Sequence, residues 1–379
     1  QAVFELIVGP VRAPTTQTFA SLGGDSFSYV EMSIRLEELI GRLPVDWHLQ
    51  SVSKLTALAN EHEPDPTRRW VRLDTSIAIR ALAIVMIVCT HMGLYRVPGG
   101  AHTLLLVLGY NIARFQLSSA DTPGRLRKVL GTVARVAVPT VAWIGMQMLL
   151  FGGYSLGALF LVNNYFGSAW RRNGRWEYWY FETFVQSIIV IGLLFAIPVV
   201  RRAERRAPFE FALGVVAITL LFRFQIIELG DSYNSMFRPH TVACFIALGW
   251  AAQRARQIWQ GLLVTALLAV TSVGYFDQVD REWRIILLCA ALIWLPTIPL
   301  PRLAVRPISV IAAASMHIFL VHWQVWPVFT PWLDLHLALV ATIATGVAVW
   351  WTFDRLCSKA RQHRRSALRP HGQATTFAI

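Results

Sequence analysis

Arg80-Ala-Leu-Ala-Ile-Val-Met-Ile-Val-Cys-Thr-His91 sets a guanidinium and an imidazole inside an apolar run that extends from about Asp74 to Leu94. Ionisable groups in hydrocarbon are costly and usually face a bundle interior or a water-filled cavity. The two are eleven residues apart. On an α-helix that is close to three turns, which puts both on one face about 16 Å apart along the axis. Two readings stay open here. The pair lines a channel with two stations, or it is a snorkelling Arg at one membrane edge and a His at the other.

The rest of the chain supports a membrane setting. Of 379 residues, 55% are hydrophobic and 15% charged, outside the range of an ordinary soluble protein. Fifteen Trp suit aromatic belts at membrane interfaces. Ten apolar segments are long enough to cross or nearly cross a bilayer, at about 74–94, 99–117, 129–152, 178–200, 208–228, 239–252, 258–275, 283–299, 307–329 and 333–354. The fold class expected is therefore all-α, a polytopic helix bundle. Arg125, Arg127 and Lys128 follow the second segment, Arg201, Arg202, Arg205 and Arg206 the fourth, Arg254 and Arg256 the sixth, and Arg302 and Arg306 the eighth. The tail, 355–379, is basic. All of these share one side if both termini are cytoplasmic, which sets the orientation by the positive-inside rule. The protein is expected in the cell membrane. The formal charge of +13 lies in loops between spans, so it does not argue for nucleic acid. Arg171, Arg172 and Arg175 break the rule by falling outside. They read as an anion or substrate site, or as a solvated basic loop. Cys89, Cys244, Cys289 and Cys357 lack CxxC spacing, so neither disulfides nor a metal site are expected.

Residues 1–67 differ in charge. They hold four basic and nine acidic groups, a net of −5 against +18 for the remainder. Within them, Leu22-Gly-Gly-Asp-Ser26-Phe27 runs from a loop into a helix, so Ser26 reads either as a helix cap or as something more specific. The motif resembles the phosphopantetheine attachment site of acyl and peptidyl carrier proteins. That resemblance covers about residues 1–60 and implies a four-helix bundle cut at its N-terminal end. It implies 4'-phosphopantetheine on Ser26 and a phosphopantetheinyl transferase as partner. Residues 61–73 form a polar linker. A start at Gln1 reads as part of something longer, with an adenylation domain expected upstream.

With orientation assigned, depth follows from helical rise. His91 is about 25 Å and His322 about 22 Å from the inner edge, so the two share a level. Glu182, near the outer start of the fourth segment, falls close to it. A His beside such a group suits a general base, or a structural hydrogen-bond network. Arg80…His91, Gly99-Gly100, Leu108-Gly-Tyr-Asn111, Arg135-Val-Ala-Val-Pro139, Trp179-Tyr-Phe-Glu182 and Ser315-Met-His-Ile-Phe-Leu-Val-His322-Trp323 together resemble the integral-membrane acyltransferase family 3 over about residues 72–354. Leu108-Gly-Tyr-Asn111 departs from that family's usual Ser-Gly-Phe, and Met316 and His317 replace a Tyr and a small residue. The resemblance implies His91 as the catalytic base, with Glu182 and His322 candidates to share its work. Arg80 would hold the donor, with Arg135, Arg171, Arg172 and Arg175 as further donor-binding candidates. It implies a membrane domain over 74–354 and an acyl donor that is usually acyl-CoA. Here a tethered arm on Ser26, about 20 Å when extended, is the expected donor carrier. Free acyl-CoA with a vestigial carrier, and a transporter or lipid-binding protein without chemistry, are the alternatives.

Overall fold

A computed structural model describes residue 4, residues 16–19, 21–22, 24, 26–40, 43–44, 46–61, 69–117, 125–166, 177–229 and 237–367. The N-terminal module begins with α1 (Ser26–Ile40), then a 3-10 turn at Trp47–Leu49 and α2 (Val52–Glu61). Strand β1 (Trp70–Asp74) leads straight into α3 (Thr75–His91). Asp74 caps α3 by accepting from the Ser76 amide at 2.9 Å, as a carboxylate at a helix start should. Then come α4 (Gly100–Asn111), α5 (Arg125–Phe151) and α6 (Trp179–Leu194). They are followed by α7 (Pro198–Arg206), α8 (Pro208–Arg223), α9 (Pro239–Arg254), α10 (Ile258–Ser272) and α11 (Val279–Trp294). Strand β2 (Thr297–Pro301), α12 (Arg302–Phe329) and α13 (Leu335–Ala367) complete the longer described elements.

The fold is all-α in substance, and each of the ten apolar segments carries a helix of this set. Among the described residues, three stretches are long and apolar enough to cross a membrane: Val129–Phe151, Arg302–Phe329 and Leu335–Lys359. A fourth follows if α6 and α7, bent by 93° at their junction, are joined. Helices of 15 to 17 residues such as α3 and α10 reach about 24 Å, short of a ~30 Å hydrocarbon core.

Three features differ from the sequence reading. The linker does not run to 73: β1 pairs antiparallel with β2 from Trp70↔Pro301 to Asp74↔Thr297. That ribbon joins the start of α3 to the start of α12. The fourth apolar segment is not one helix: α6 ends at Leu194 and Pro198 opens α7. Its arginines lie on α7, where buried Glu204 pairs with Arg254 at 2.6 Å. The helix of the ninth segment, α12, starts at Arg302 and holds Pro307 within it.

Two apolar cores organise the molecule. The larger joins residues of α3, α4, α6, α8, α9 and α12. Its tightest crossing sets Gly109 of α4 against the Ile246 carbonyl of α9, where a Cβ would sit 1.8 Å away. The smaller core packs the N-terminal module against Phe115 and the first turns of α3 and α12. Phe19, Tyr29 and Trp47 pack with Phe115, Leu73, Val305 and Ala312. The Tyr29 and Trp47 rings stack at 5.1 Å, and Tyr29 meets Phe115 at 4.8 Å.

Candidate active site

Helix α3 ends at His91 and helix α12 carries His322, and the fold brings the two rings together. Nδ1 of His91 lies 2.7 Å from Nε2 of His322, with the rings stacked at 5.0 Å. Nδ1 of His322 is 2.6 Å from the Phe319 carbonyl. A carbonyl only accepts, so His322 carries its proton on Nδ1 and presents a lone pair at Nε2. His91 must then donate from Nδ1, which leaves its own Nε2 as the basic atom. A neutral His thus fixes the tautomer of another, the task that a carboxylate performs in many catalytic pairs. Trp323 stacks on His91 at 4.4 Å. Its indole Nε1 is buried with no hydrogen-bond partner among the described residues.

Below this pair lies a narrow cavity of about 30 Å³, roughly the volume of one or two waters. Arg80, Tyr180, Phe181, Ser315, Met316 and Phe319 line it. Arg80 is 6% exposed. The Phe319 ring in its wall lies 5.5 Å from the His322 ring. A second, larger cavity of about 440 Å³ lies against the N-terminal module. Ser28 and Glu31 of α1, Arg135 of α5, Met316 and His317 of α12 and Asp354 of α13 line it. Met316 belongs to both cavities.

The remaining expected site residues separate. Glu182 is buried, and its carboxylate accepts from the Asn164 backbone N–H at 2.7 Å. Gln186 donates to Asn164 and to the Leu161 carbonyl, so this group anchors the segment after α5. Among the described residues, the side-chain hydrogen-bond partner of His91 is His322. Arg135 lines the larger cavity rather than the one beneath the histidines. Ser26 is the first residue of α1, two residues before Ser28. Arg171, Arg172 and Arg175 lie outside the described residues. Arg223 donates to the Thr271 carbonyl at 2.9 Å and covers the Tyr275 ring.

Sequence reasoning missed one buried polar cluster. A π-helical turn, Ile112–Gln116, follows α4 and carries Arg114. Arg114 pairs with Asp74 at 2.7 Å and donates to Tyr29 at 3.2 Å and His48 at 3.3 Å. Tyr29 donates to Asp74 at 3.0 Å. Burial, and then the Arg114 charge, push the His48 pKa down to about 3. Burial, and then the Asp74 charge, push Tyr29 above its usual range. Both groups are therefore neutral at physiological pH. A charge within an apolar segment was the only signal of Arg114. Its partners sit 40, 66 and 85 residues away along the chain, beyond any local pattern.

Beyond His322 along α12, Trp143 donates to Tyr178 at 3.1 Å and Gln324 donates to Tyr154 at 3.0 Å. Tyr154 also bonds the Glu177 carboxylate. Gln324 is two residues beyond His322, so this polar and aromatic cluster borders the histidine pair.

No curated protein and no solved structure matches the chain. The acyltransferase domain of the Acyl_transf_3 family matches residues 73–355, which takes in the end of β1, every helix from α3 to α12, β2 and most of α13. That span contains the two stacked histidines and the arginine-lined cavity beneath them, and by it the chain belongs to the membrane acyltransferase 3 family.

Proposed function

We propose that the chain moves an acyl or aminoacyl group from a phosphopantetheine thioester on Ser26 to an acceptor in the membrane or cell envelope. His91 would act as its base. The observation that carries this reading is the His91–His322 hydrogen bond, which leaves Nε2 of His91 basic above the Arg80 cavity. The arm would supply the acyl group as a thioester and, at about 20 Å, spans the rise from Arg80 to His91. In this reading His91 Nε2 takes the proton of an acceptor hydroxyl or amine. The acceptor atom bonds to the thioester carbonyl carbon and the C–S bond breaks. His91 returns its proton to the departing sulfur. His322 holds the His91 ring and accepts from its Nδ1–H throughout. The Trp323 indole N–H is the donor assigned to the carbonyl oxygen, where negative charge grows. Arg80 holds the polar part of the donor beneath the pair.

Ten spans with both termini cytoplasmic complete the reading. The ribbon favours it by placing the starts of α3 and α12 side by side, as the loop charges require. A carrier module over residues 1–60 needs a phosphopantetheinyl transferase, and an upstream adenylation domain would charge it. The loading test is to express the chain with such a transferase and weigh it, expecting one arm gained at Ser26. An acetyl group on that arm should then discharge into native membranes, and His91→Ala should stop it. No mass gain on Ser26 removes the tethered donor. Transfer from free acetyl-CoA by Ser26→Ala would assign the soluble donor instead, and unaffected function in His91→Ala would exclude the chemistry.

A further inference from the structure

His317 is 5% exposed, and neither ring nitrogen has a hydrogen-bond partner among the described residues. It lines the larger cavity, with its ring 5.3 Å from Phe353. A buried polar group without a partner is uncommon and costly, so the ring is built to meet something that enters. A neutral imidazole offers one donor and one acceptor, the complement of a secondary amide. The other polar groups on the wall are of mixed sign: Arg135, Glu31, Asp354 and Ser28. The apolar remainder includes Pro139, Ala313, Met316 and Trp350. A lipid tail would have no use for the imidazole. A chain of amides joined by short methylene runs, with a phosphate at one end, matches both the polar and the apolar parts of the wall.

Resting on the donor reading above, we propose that this cavity binds the phosphopantetheine chain of the donor, with His317 hydrogen-bonding one of its amides and Met316 closing the way to Arg80. Three successive residues make the route: His317 faces the large cavity, Met316 faces both, and Ser315 faces the narrow one. A methionine has three rotatable side-chain bonds and yields readily. Its movement joins a 440 Å³ chamber to a 30 Å³ slot. His322 lies five residues beyond His317 on the same helix, about 7.5 Å further up. The N-terminal module is part of the site, since α1 contributes Ser28 and Glu31 to the wall and begins at Ser26.

Cys357 also lines this cavity and is part-exposed, whereas Cys89, Cys244 and Cys289 are buried. Its alkylation by iodoacetamide, mapped by mass spectrometry in nanodiscs, reports occupancy without any transfer. Three samples of the full chain are compared: unloaded, carrying an acetylated arm on Ser26, and Ser26→Ala with acetyl-CoA. The arm should slow Cys357 alkylation at least five-fold, His317→Phe should remove most of that protection, and His317→Gln, which keeps a hydrogen bond, should retain it. Protection by acetyl-CoA with none from the arm leaves the cavity assignment standing with a soluble source. If the arm is never attached, the acetyl-CoA sample alone decides. Protection by neither probe, or equal protection in His317→Phe, overturns the assignment. Acyl transfer that persists in that case leaves the proposed function intact, so the two fail separately.

Discussion

At the scale of single residues, the histidine pair was visible from helical rise alone. His91 and His322 were expected at one depth, and they meet at 2.7 Å. What rise does not reveal is direction around the helix, and that decides which neighbour shares the work. Glu182 has nearly the right depth, yet its carboxylate serves Asn164. Trp323 sits next to His322 in the chain, but only the fold lays its ring on His91. Its role separates into two parts that substitution can resolve. Trp323→Phe keeps an aromatic ring over His91 and deletes the N–H. We expect kcat to fall about 100-fold, as for loss of one donor to a developing oxyanion, with donor KM little changed. Trp323→Ala also unseats His91 and should cost more. Equal kcat in wild type and Trp323→Phe, measured by discharge of an acetylated arm, would remove the indole from the chemistry.

At the scale of elements, each apolar segment became a helix because length and composition suffice for that. The breaks were less legible. The 93° bend between α6 and α7 falls where Pro198 opens a helix rich in arginine. The β1–β2 ribbon links residues more than 220 apart, which no local periodicity shows. Helix contacts follow the same rule. Gly109 and Gly249 are unremarkable in sequence, yet each lies against a backbone carbonyl of the opposite helix, that of Ile246 and of Leu106. Small residues there let α4 and α9 approach at backbone distance. Gly109→Ala must push the helices apart, at a cost of about 1–3 kcal/mol or more as in an overpacked core. Gly131 has nothing within 4 Å of an added Cβ. Gly131→Ala should stabilise α5 by about 0.5–1 kcal/mol. Melting temperatures in detergent should therefore fall for Gly109→Ala and hold or rise for Gly131→Ala; the opposite order would refute the crossing.

At the scale of the whole molecule, the buried cluster of Asp74, Arg114, Tyr29 and His48 ties the N-terminal module to the membrane domain. It lies where α3 begins, and α1 forms part of the cavity wall. Undocking the module would therefore open the larger cavity as well. His48 makes this docking sensitive to acid. Its pKa is about 3 when docked and about 6.5 when free. Below pH ~6.5 the free histidine binds a proton that the docked one refuses, so docking weakens as pH falls toward about 3. The slope is at most about 1.4 kcal/mol per pH unit, and docking is insensitive to this group above pH ~6.5. Hydrogen exchange in peptides of α1 and α2 should quicken between pH 6.5 and 4.5 after correction for intrinsic rates. His48→Gln should flatten that dependence, while Arg114→Leu should quicken exchange at every pH by leaving Asp74 buried and unpaired. An unchanged slope in His48→Gln would transfer the acid sensitivity to another group. Normal protection in Arg114→Leu would show that the aromatic contacts among Tyr29, Trp47 and Phe115 hold the module in place by themselves.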